Sequence, residues 1–345
     1  MICPKKKQVT YICCMKIAFF STQPYDIRFF NQHKEDYGFE LIYFESALTT
    51  QTAALAGDAE AVCVFVNDKL NEAVIDTLAA QGVKIIALRC AGFNNVDVEA
   101  AKRNGIKVCR VPAYSPEAVA EFAVAIMMTL NRKTNKAYNR VREQNFSLNG
   151  LLGFDIHNKT VGVVGTGNIG KAFCKIMLGF GCKVSAFDVI ANKDLEALGV
   201  EFKPLQEILA CDIISLHCPL NDQTKHIINE TTISMMKKGV MLINTSRGGL
   251  IDTKAVIHAL KSGQIGYLGI DVYEQEEKLF FRDLSSDIIQ DDLIQRLMSF
   301  PNVLITAHQA FFTEDAMHQI STTTLKNIKD FHEKGILDNK AAFLV

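Results

Sequence analysis

Short apolar runs recur along the chain, and most of them end in polar residues. In the first third these are Lys16-Ile17-Ala18-Phe19-Phe20, Leu41-Ile42-Tyr43-Phe44, Ala61-Val62-Cys63-Val64-Phe65-Val66, Lys84-Ile85-Ile86-Ala87-Leu88 and Ile106-Lys107-Val108-Cys109. Helix-like stretches lie between them, notably Asn71 to Gln81. Strands alternating with helices predict a parallel sheet covered on both faces. Val111-Pro112-Ala113-Tyr114-Ser115-Pro116 interrupts the alternation, with Ser115 at an N-cap and Pro116 at the first helical position. The helix that follows, from Glu117 to about Asn131, is apolar on most faces. Such a helix is expected to be buried, either between domains or at a subunit contact. Lys133 to Asn145 is charged and expected to be partly exposed.

A second series follows. Val161 to Val164, Lys183 to Asp188, Asp212 to His217, Val240 to Asn244, Gly266 to Asp271 and Val303 to Thr306 read as strands, and a last helix begins near Thr313. In an open parallel sheet, ligands bind outside the carboxyl ends of the strands, so the polar residues there are read for chemistry as a group.

Length and composition narrow the classes. The 345 residues, 48% of them hydrophobic, are enough for two domains with substantial cores. The formal charge of −1, with no long block of one sign, argues against nucleic-acid binding. No segment approaches the roughly twenty apolar residues that a membrane span requires. Met1 to Met15 is basic but has no continuous apolar core, which makes it a poor signal peptide; Lys5-Lys6-Lys7 reads as a solvated tail, and Met15 is a candidate start. Ten cysteines, none in a Cys-x-x-Cys pair and with Cys13-Cys14 poorly placed to bridge each other, read as reduced, mostly buried thiols of a cytoplasmic protein. No metal site is visible in the sequence.

The sharpest motif sits in mid-chain. Val161-Gly162-Val163-Val164 runs into Gly165-Thr166-Gly167-Asn168-Ile169-Gly170, and an amphipathic helix follows at once. Gly165 would make the tight turn, Gly167 would admit a pyrophosphate to the backbone, and Gly170 would let the helix pack closely on the strand. The anion would meet free N–H groups at the helix start. Asp188 ends the next strand, about twenty residues on, where an acid hydrogen-bonds the ribose hydroxyls and repels a 2′-phosphate. NAD is therefore expected rather than NADP.

Three strand ends carry further candidates. Arg247, in Thr245-Ser246-Arg247-Gly248-Gly249, could clamp a carboxylate through its planar fork. Asp271-Val272-Tyr273-Glu274-Gln275-Glu276 offers three acids, and Ala307-His308-Gln309-Ala310 a histidine. Each alone reads more readily as structural. Together an Arg, an acid and a His form the set that a ketoacid reductase needs. The Arg holds the substrate carboxylate, the His protonates the carbonyl oxygen, and the acid favours imidazolium.

With these residues in view, the chain from Met15 onward resembles the D-2-hydroxyacid dehydrogenases, and within them the fermentative D-lactate branch. The resemblance rests on Leu88 to Asp97, Val111 to Glu121, Gly165 to Gly170, Asn244 to Gly248, Asp271 to Glu276 and Thr306 to Phe311. It implies an α/β protein of two domains. A Rossmann NAD-binding domain, 114–311, is inserted into a flavodoxin-like substrate domain made of 1–113 and 312–345, with catalysis in the cleft between them. It implies that Arg247 binds substrate, that His308 is the proton donor and that Glu276, rather than Glu274 or Asp271, is its partner. Asn168 and Ile169 match the pyrophosphate loop, and Cys218, Pro219, Thr224, Thr245 and Ser246 match cofactor-lining positions. Asp271 matches a contact to the nicotinamide carboxamide. Ala91 and Gly92 match backbone contacts to the substrate carboxylate, and Tyr114 a substrate-side position. His217 reads as structural or cofactor-adjacent, and the identity of Gly248 carries no chemical consequence that the sequence argues.

The expected activity is reversible, NADH-dependent reduction of pyruvate to D-lactate, regenerating NAD in fermentation. The alternatives are a bulkier 2-ketoacid as substrate or, in another class, an NADH-sensing, corepressor-like binding protein. A homodimer or larger homo-oligomer is expected, with no nucleic acid or membrane as partner.

Overall fold

The computed structural model describes residues 15–345, so the readings of Lys5-Lys6-Lys7, Cys13-Cys14 and the segment before Met15 lie outside the described residues. The chain divides into two units, Met1–Tyr114 with Thr313–Val345, and Ser115–Phe312.

In the first unit the apolar runs become strands β1 (Lys16–Phe19), β2 (Glu40–Tyr43), β3 (Ala61–Val64), β4 (Ile85–Leu88) and β5 (Lys107–Arg110), with helices α1 (Pro24–Tyr37), α2 (Glu72–Ala80) and α3 (Val98–Arg103) among them. The five strands pair in parallel, in the order β2-β1-β3-β4-β5, and Phe343 adds an antiparallel bridge to Cys109 of β5. Strands β3 and β4 are buried at every position, as their unbroken apolar sequences require of strands covered on both faces. Local signals set the helix ends. The Asn71 side chain accepts the Val74 amide at the start of α2, and α1 stops at Gly38 in the left-handed region, φ 68°.

Beyond β4 the Arg89 side chain is fully buried. Its Nη2 donates to the Ser21 carbonyl at 2.7 Å and to Asp26 at 3.3 Å. Asp68 accepts the Ser21 hydroxyl and the Leu48 and Phe65 amides. This buried polar network gathers the loops at the carboxyl edge of the sheet, next to Ala91 and Gly92. Arg110 Nη1 donates to the Ala91 carbonyl at 2.7 Å and stacks over Phe93.

The second unit begins with α4 (Pro116–Arg132) and α5 (Thr134–Arg142). Its strands are β6 (Thr160–Val164), β7 (Lys183–Phe187), β8 (Glu201–Phe202), β9 (Ile213–Leu216), β10 (Val240–Asn244), β11 (Ile265–Ile270) and β12 (Val303–Ile305). Its remaining helices are α6 (Asn168–Gly179), α7 (Lys193–Ala197), α8 (Leu205–Leu209), α9 (Glu230–Ser234), α10 (Thr253–Ser262) and α11 (Asp292–Met298). The strands pair in parallel in the order β12-β11-β10-β9-β6-β7-β8. The chain therefore leaves β6 toward one edge and returns to its other side at β9. That reversal is the switch point where open α/β sheets bind ligands.

Helix α4 buries its apolar face. Ser115 caps it and Pro116 opens it, and that face is covered within its own unit. Ala120, Ala123, Ile126, Met127 and Leu130 pack with residues of β6, α6, β10 and neighbouring elements in one core. A Cβ on Gly269 of β11 would strike Ile126, so that glycine lets the helix settle onto the sheet. Helix α5 has no buried residue.

The last helix, α12 (Glu314–Lys334), capped by Thr313, belongs to the first unit, where it packs on α1 and β4. The described cysteines, Cys63, Cys90, Cys109, Cys174, Cys182, Cys211 and Cys218, are buried, and none forms a disulfide among the described residues. Among the described residues no helix is long and apolar enough to cross a membrane.

Candidate active site

The turn after β6 is built around two glycines that nothing larger could replace. Gly165 has φ 94°, and a Cβ there would stand 2.6 Å from the Cys218 backbone nitrogen. A Cβ on Gly170 would run into the Gly165 carbonyl oxygen. Gly167 is the N-cap of α6, and no atom lies within 4 Å of where its Cβ would be. The amides of Asn168 and Ile169, at the first two positions of α6, have no partner within the helix. A bare backbone approach beside unpaired donors at a helix start is the cradle a pyrophosphate fits.

Asp188 closes the other side of this turn. Its Oδ2 accepts the Thr166 amide at 2.6 Å and the Thr166 hydroxyl at 2.8 Å, and its Oδ1 accepts the Val189 amide at 2.7 Å. Burial alone would raise its carboxyl, but these hydrogen bonds from Thr166, Val189 and Ile190 hold it below the ordinary carboxylate range. The acid is thus kept ionised at the end of β7. Thr166, which the sequence analysis did not single out, fixes it.

Across the switch point, the β9 exit runs through His217, Cys218 and Pro219. His217 Nε2 lies 2.9 Å from the Ser215 hydroxyl and its ring leans on Phe173, while Nδ1 is shut from solvent with no partner among the described residues. Burial pushes it down to about 3, so it is a neutral structural histidine. The Ser246 hydroxyl donates to the Cys218 carbonyl at 2.7 Å and the Thr224 hydroxyl to the Pro219 carbonyl at 2.6 Å. The first bond joins the β9 and β10 exits, and the second folds the β9 exit back on itself. The buried Thr245 hydroxyl has no partner among the described residues.

Arg247 hangs from a turn organised by the fully buried Asn244. That side chain donates to the Arg247 carbonyl at 2.9 Å and accepts the Ser246 amide at 3.0 Å. The next residue, Gly248, does carry a consequence: a Cβ there would collide with the Tyr273 carbonyl and the Glu274 amide. The Arg247 turn is pressed directly against the backbone of the acidic loop.

That loop sorts its three acids by geometry. Glu274 pairs with His226 at 2.7 Å and accepts the Thr253 hydroxyl at 3.0 Å. Glu276 instead places Oε1 2.9 Å from His308 Nδ1, while its Oε2 accepts the Tyr273 amide at 2.8 Å. Both side chains of the His308–Glu276 pair are about four-fifths covered, at 19% and 22% exposure.

Asp271 is fully buried and turned toward the histidine loop. It accepts the Thr306 hydroxyl at 2.5 Å and the Gln309 amide at 2.9 Å on Oδ1, and the Ala310 amide at 2.8 Å on Oδ2. His308, in the left-handed region at φ 54°, donates its amide to the Asp271 carbonyl at 2.7 Å. The Asp271 carboxylate thus holds the turn that carries His308. Burial pushes that carboxyl up, against the pull of its hydrogen bonds from Thr306, Gln309 and Ala310.

Residues 124–310 match the family model described as D-isomer specific 2-hydroxyacid dehydrogenase, NAD binding domain. The chain is 55% identical over 319 residues to 2-hydroxyacid dehydrogenase homolog 1 of Schizosaccharomyces pombe, covering 92% of this chain and 96% of that one. The chain belongs to the D-2-hydroxyacid dehydrogenases. It is also 53% identical over 322 residues to D-lactate dehydrogenase of Escherichia coli, covering 93% and 98% of the two chains. Among solved structures it matches the Aquifex aeolicus D-lactate dehydrogenase complexed with NAD and lactic acid, with TM-score 0.84 and 35% identity over 95% of this chain and 99% of that one.

As a member of this family the protein is an NAD-dependent dehydrogenase, and its residues fit the cofactor. Gly167 leaves the approach open, the α6 amides face it, Asp188 is ionised beside it, and the orphaned Thr245 hydroxyl lies at the β10 exit of the same sheet edge. Ala91, Gly92 and Tyr114 belong to the first unit. Among the described residues no group of three or more His, Cys, Asp or Glu side chains is arranged to hold a metal ion.

Proposed function

We propose that this dehydrogenase catalyses the reversible, NADH-dependent reduction of pyruvate to D-lactate and regenerates NAD in fermentation. The observation that carries the reading is the His308–Glu276 pair. A carboxylate only accepts, so the 2.9 Å contact places a proton on Nδ1 and leaves Nε2 as the nitrogen that serves substrate. NAD, when bound, supplies or takes up the hydride.

The chain's own residues do the rest. The Arg247 guanidinium binds the substrate carboxylate and turns the carbonyl toward the nicotinamide side. His308 Nε2 gives its proton to the carbonyl oxygen as the hydride arrives, and Glu276 stabilises the imidazolium before the transfer. Gly165, Gly167, Asn168, Ile169 and Gly170 hold the pyrophosphate, and Asp188 the ribose hydroxyls. Cys218, Pro219, Thr224, Thr245 and Ser246 line the cofactor. Ala91 and Gly92 offer backbone amides to the substrate carboxylate, with Tyr114 on the substrate side. The domain boundaries we propose are 1–113 with 312–345 for the substrate domain and 114–311 for the NAD-binding domain. The relatives named D-lactate dehydrogenase support lactate as the product.

We also propose that it works in the cytoplasm as a homodimer or larger homo-oligomer. Phe146, Leu148 and Leu152 are 74%, 81% and 87% exposed, beside a surface pocket of about 450 Å³ lined by Arg132, Leu148, Leu151, Leu152, Gly153, Phe154 and Asp155. Apolar side chains clustered in this way favour association.

The test is a panel of 2-ketoacids with NADH and NADPH, read by loss of the reduced nicotinamide absorbance and by chiral analysis of product. Fastest turnover of pyruvate with NADH, yielding D-lactate, is expected. Preference for a bulkier ketoacid would replace the substrate, and absence of turnover across the panel would overturn the enzyme reading.

A further inference from the structure

In the first unit, α1 and α12 bring two imidazoles together away from the machinery described above. Nε2 of His33 lies 3.2 Å from Nδ1 of His318. The ring centroids are 4.6 Å apart and the ring planes meet at 74°. On the far side of the His33 ring, Nδ1 lies 3.8 Å from the Asp36 carboxylate, one helical turn on.

We propose that His33 and His318 form a two-imidazole site for an imidazole-preferring divalent cation such as zinc or nickel, one that cross-links the two chain segments of this unit. The distance fits. Two imidazole nitrogens, each about 2.0–2.1 Å from one zinc and separated by a roughly tetrahedral angle, stand about 3.3 Å apart. Centroids at 4.6 Å are too close for two rings joined end to end by a linear N–H···N bond, so the rings lean toward each other around the 3.2 Å nitrogen contact.

The protonation states are favourable too. The Asp36 charge, 3.8 Å from His33 Nδ1, favours a proton on that nitrogen and so leaves Nε2 to ligate. The His33 side chain is only 15% exposed and held on a helix, whereas His318 faces solvent, so water completes the coordination. Imidazole nitrogens select zinc, nickel or copper, and with no cage of oxygen ligands there is nothing to hold magnesium or calcium.

The consequence is mechanical. His33 and His318 are 285 positions apart, and α12 is the element that returns to close the first unit. An ion shared between them ties that return in place and stabilises the folded chain by mass action.

Thermal melting of the full-length, reduced protein with and without NiCl2 tests this. With nickel about a hundred-fold above its dissociation constant, the melting temperature should rise by about 2–4 °C, and magnesium should leave it unchanged. The nickel-dependent rise should vanish in His33→Ala and in His318→Ala and persist in His157→Ala. Equilibrium dialysis should show one nickel per chain lost in each of the first two variants. Should either substitution lower the melting temperature by itself, the nickel-dependent difference remains the measure, with His318→Asn as a gentler variant. No rise in the native chain, or an undiminished rise and nickel count in both His33→Ala and His318→Ala, would overturn the proposal.

Discussion

His308 takes its backbone position from Asp271 and its proton arrangement from Glu276. The His308 amide donates to the Asp271 carbonyl at 2.7 Å, and the Asp271 carboxylate receives the two amides that follow, those of Gln309 and Ala310. The histidine thus stands on a turn whose every inward donor is matched. Asp271→Ala leaves those amides and the Thr306 hydroxyl unpaired in the interior, and a loss of roughly 2–4 kcal/mol in urea unfolding is expected. Turnover should fall with it, because the turn no longer holds the imidazole. Unchanged stability would show that water replaces the carboxylate at no cost.

Replacing His308 by Gln removes the proton donor and leaves the cofactor cradle alone. Turnover of ketoacid should drop by about 10²–10⁴-fold, with KM for NADH unchanged. A variant that kept native turnover would place the proton donor elsewhere.

Arg247→Ala removes a charged fork and its Nη1 bond to the Ser246 carbonyl at 2.7 Å, while the Asn244 bonds that organise the β10 turn go to backbone and remain. Loss of charge-assisted hydrogen bonds of roughly 1.5–3 kcal/mol should appear in kcat/KM for the ketoacid as about a 10–150-fold decrease, most of it in KM. Equal kinetic constants for variant and native enzyme would remove Arg247 from the substrate site.

Gly170→Ala forces a methyl group onto the Gly165 carbonyl. The turn must open, which should cost on the order of 1–3 kcal/mol of stability and weaken NADH binding measured by fluorescence titration. Gly167→Ala meets no atom and should fold normally, so any loss of NADH affinity there reports the ligand's own approach.

His217 makes stability depend on acid. Its folded value of about 3 lies below the ordinary 6.5, so the unfolded chain binds a proton that the folded one refuses. The stabilisation from its neutral burial is complete above pH 6.5 and is lost as pH falls toward 3. The unfolding free energy should therefore drop below pH 6.5 by up to about 1.4 kcal/mol per pH unit from this group. Urea titrations at stepped pH should show a shallower acid slope in His217→Asn. An identical slope would assign the acid sensitivity to other groups.

Much of the core was legible in the chain because its signals are local. Apolar runs such as Ala61 to Val64 and Val240 to Asn244 bury on both faces in any parallel sheet, and caps such as Asn71, Ser115 and Thr313 mark helix starts through bonds to residues three positions on. Short elements such as β8 and α7 to α9 span too few residues to show a period. The burial of α4 was legible but its partner was not, because an apolar face carries no address. Which of Asp271, Glu274 and Glu276 meets the histidine has no local signature either, since all three acids sit on one loop.

The sequence by itself determined that a glycine turn and an acid could hold a dinucleotide, and that an Arg, acids and a His end neighbouring strands. The order of glycines, caps and apolar runs is set by backbone sterics and short-range hydrogen bonding, which residue types carry with them. The family resemblance implied the Glu276–His308 pair, but only the tertiary structure decided that Glu274 faces His226 and that Asp271 serves the His308 turn. Those pairings join residues tens of positions apart, so only the packing of the strands brings each donor to its acceptor.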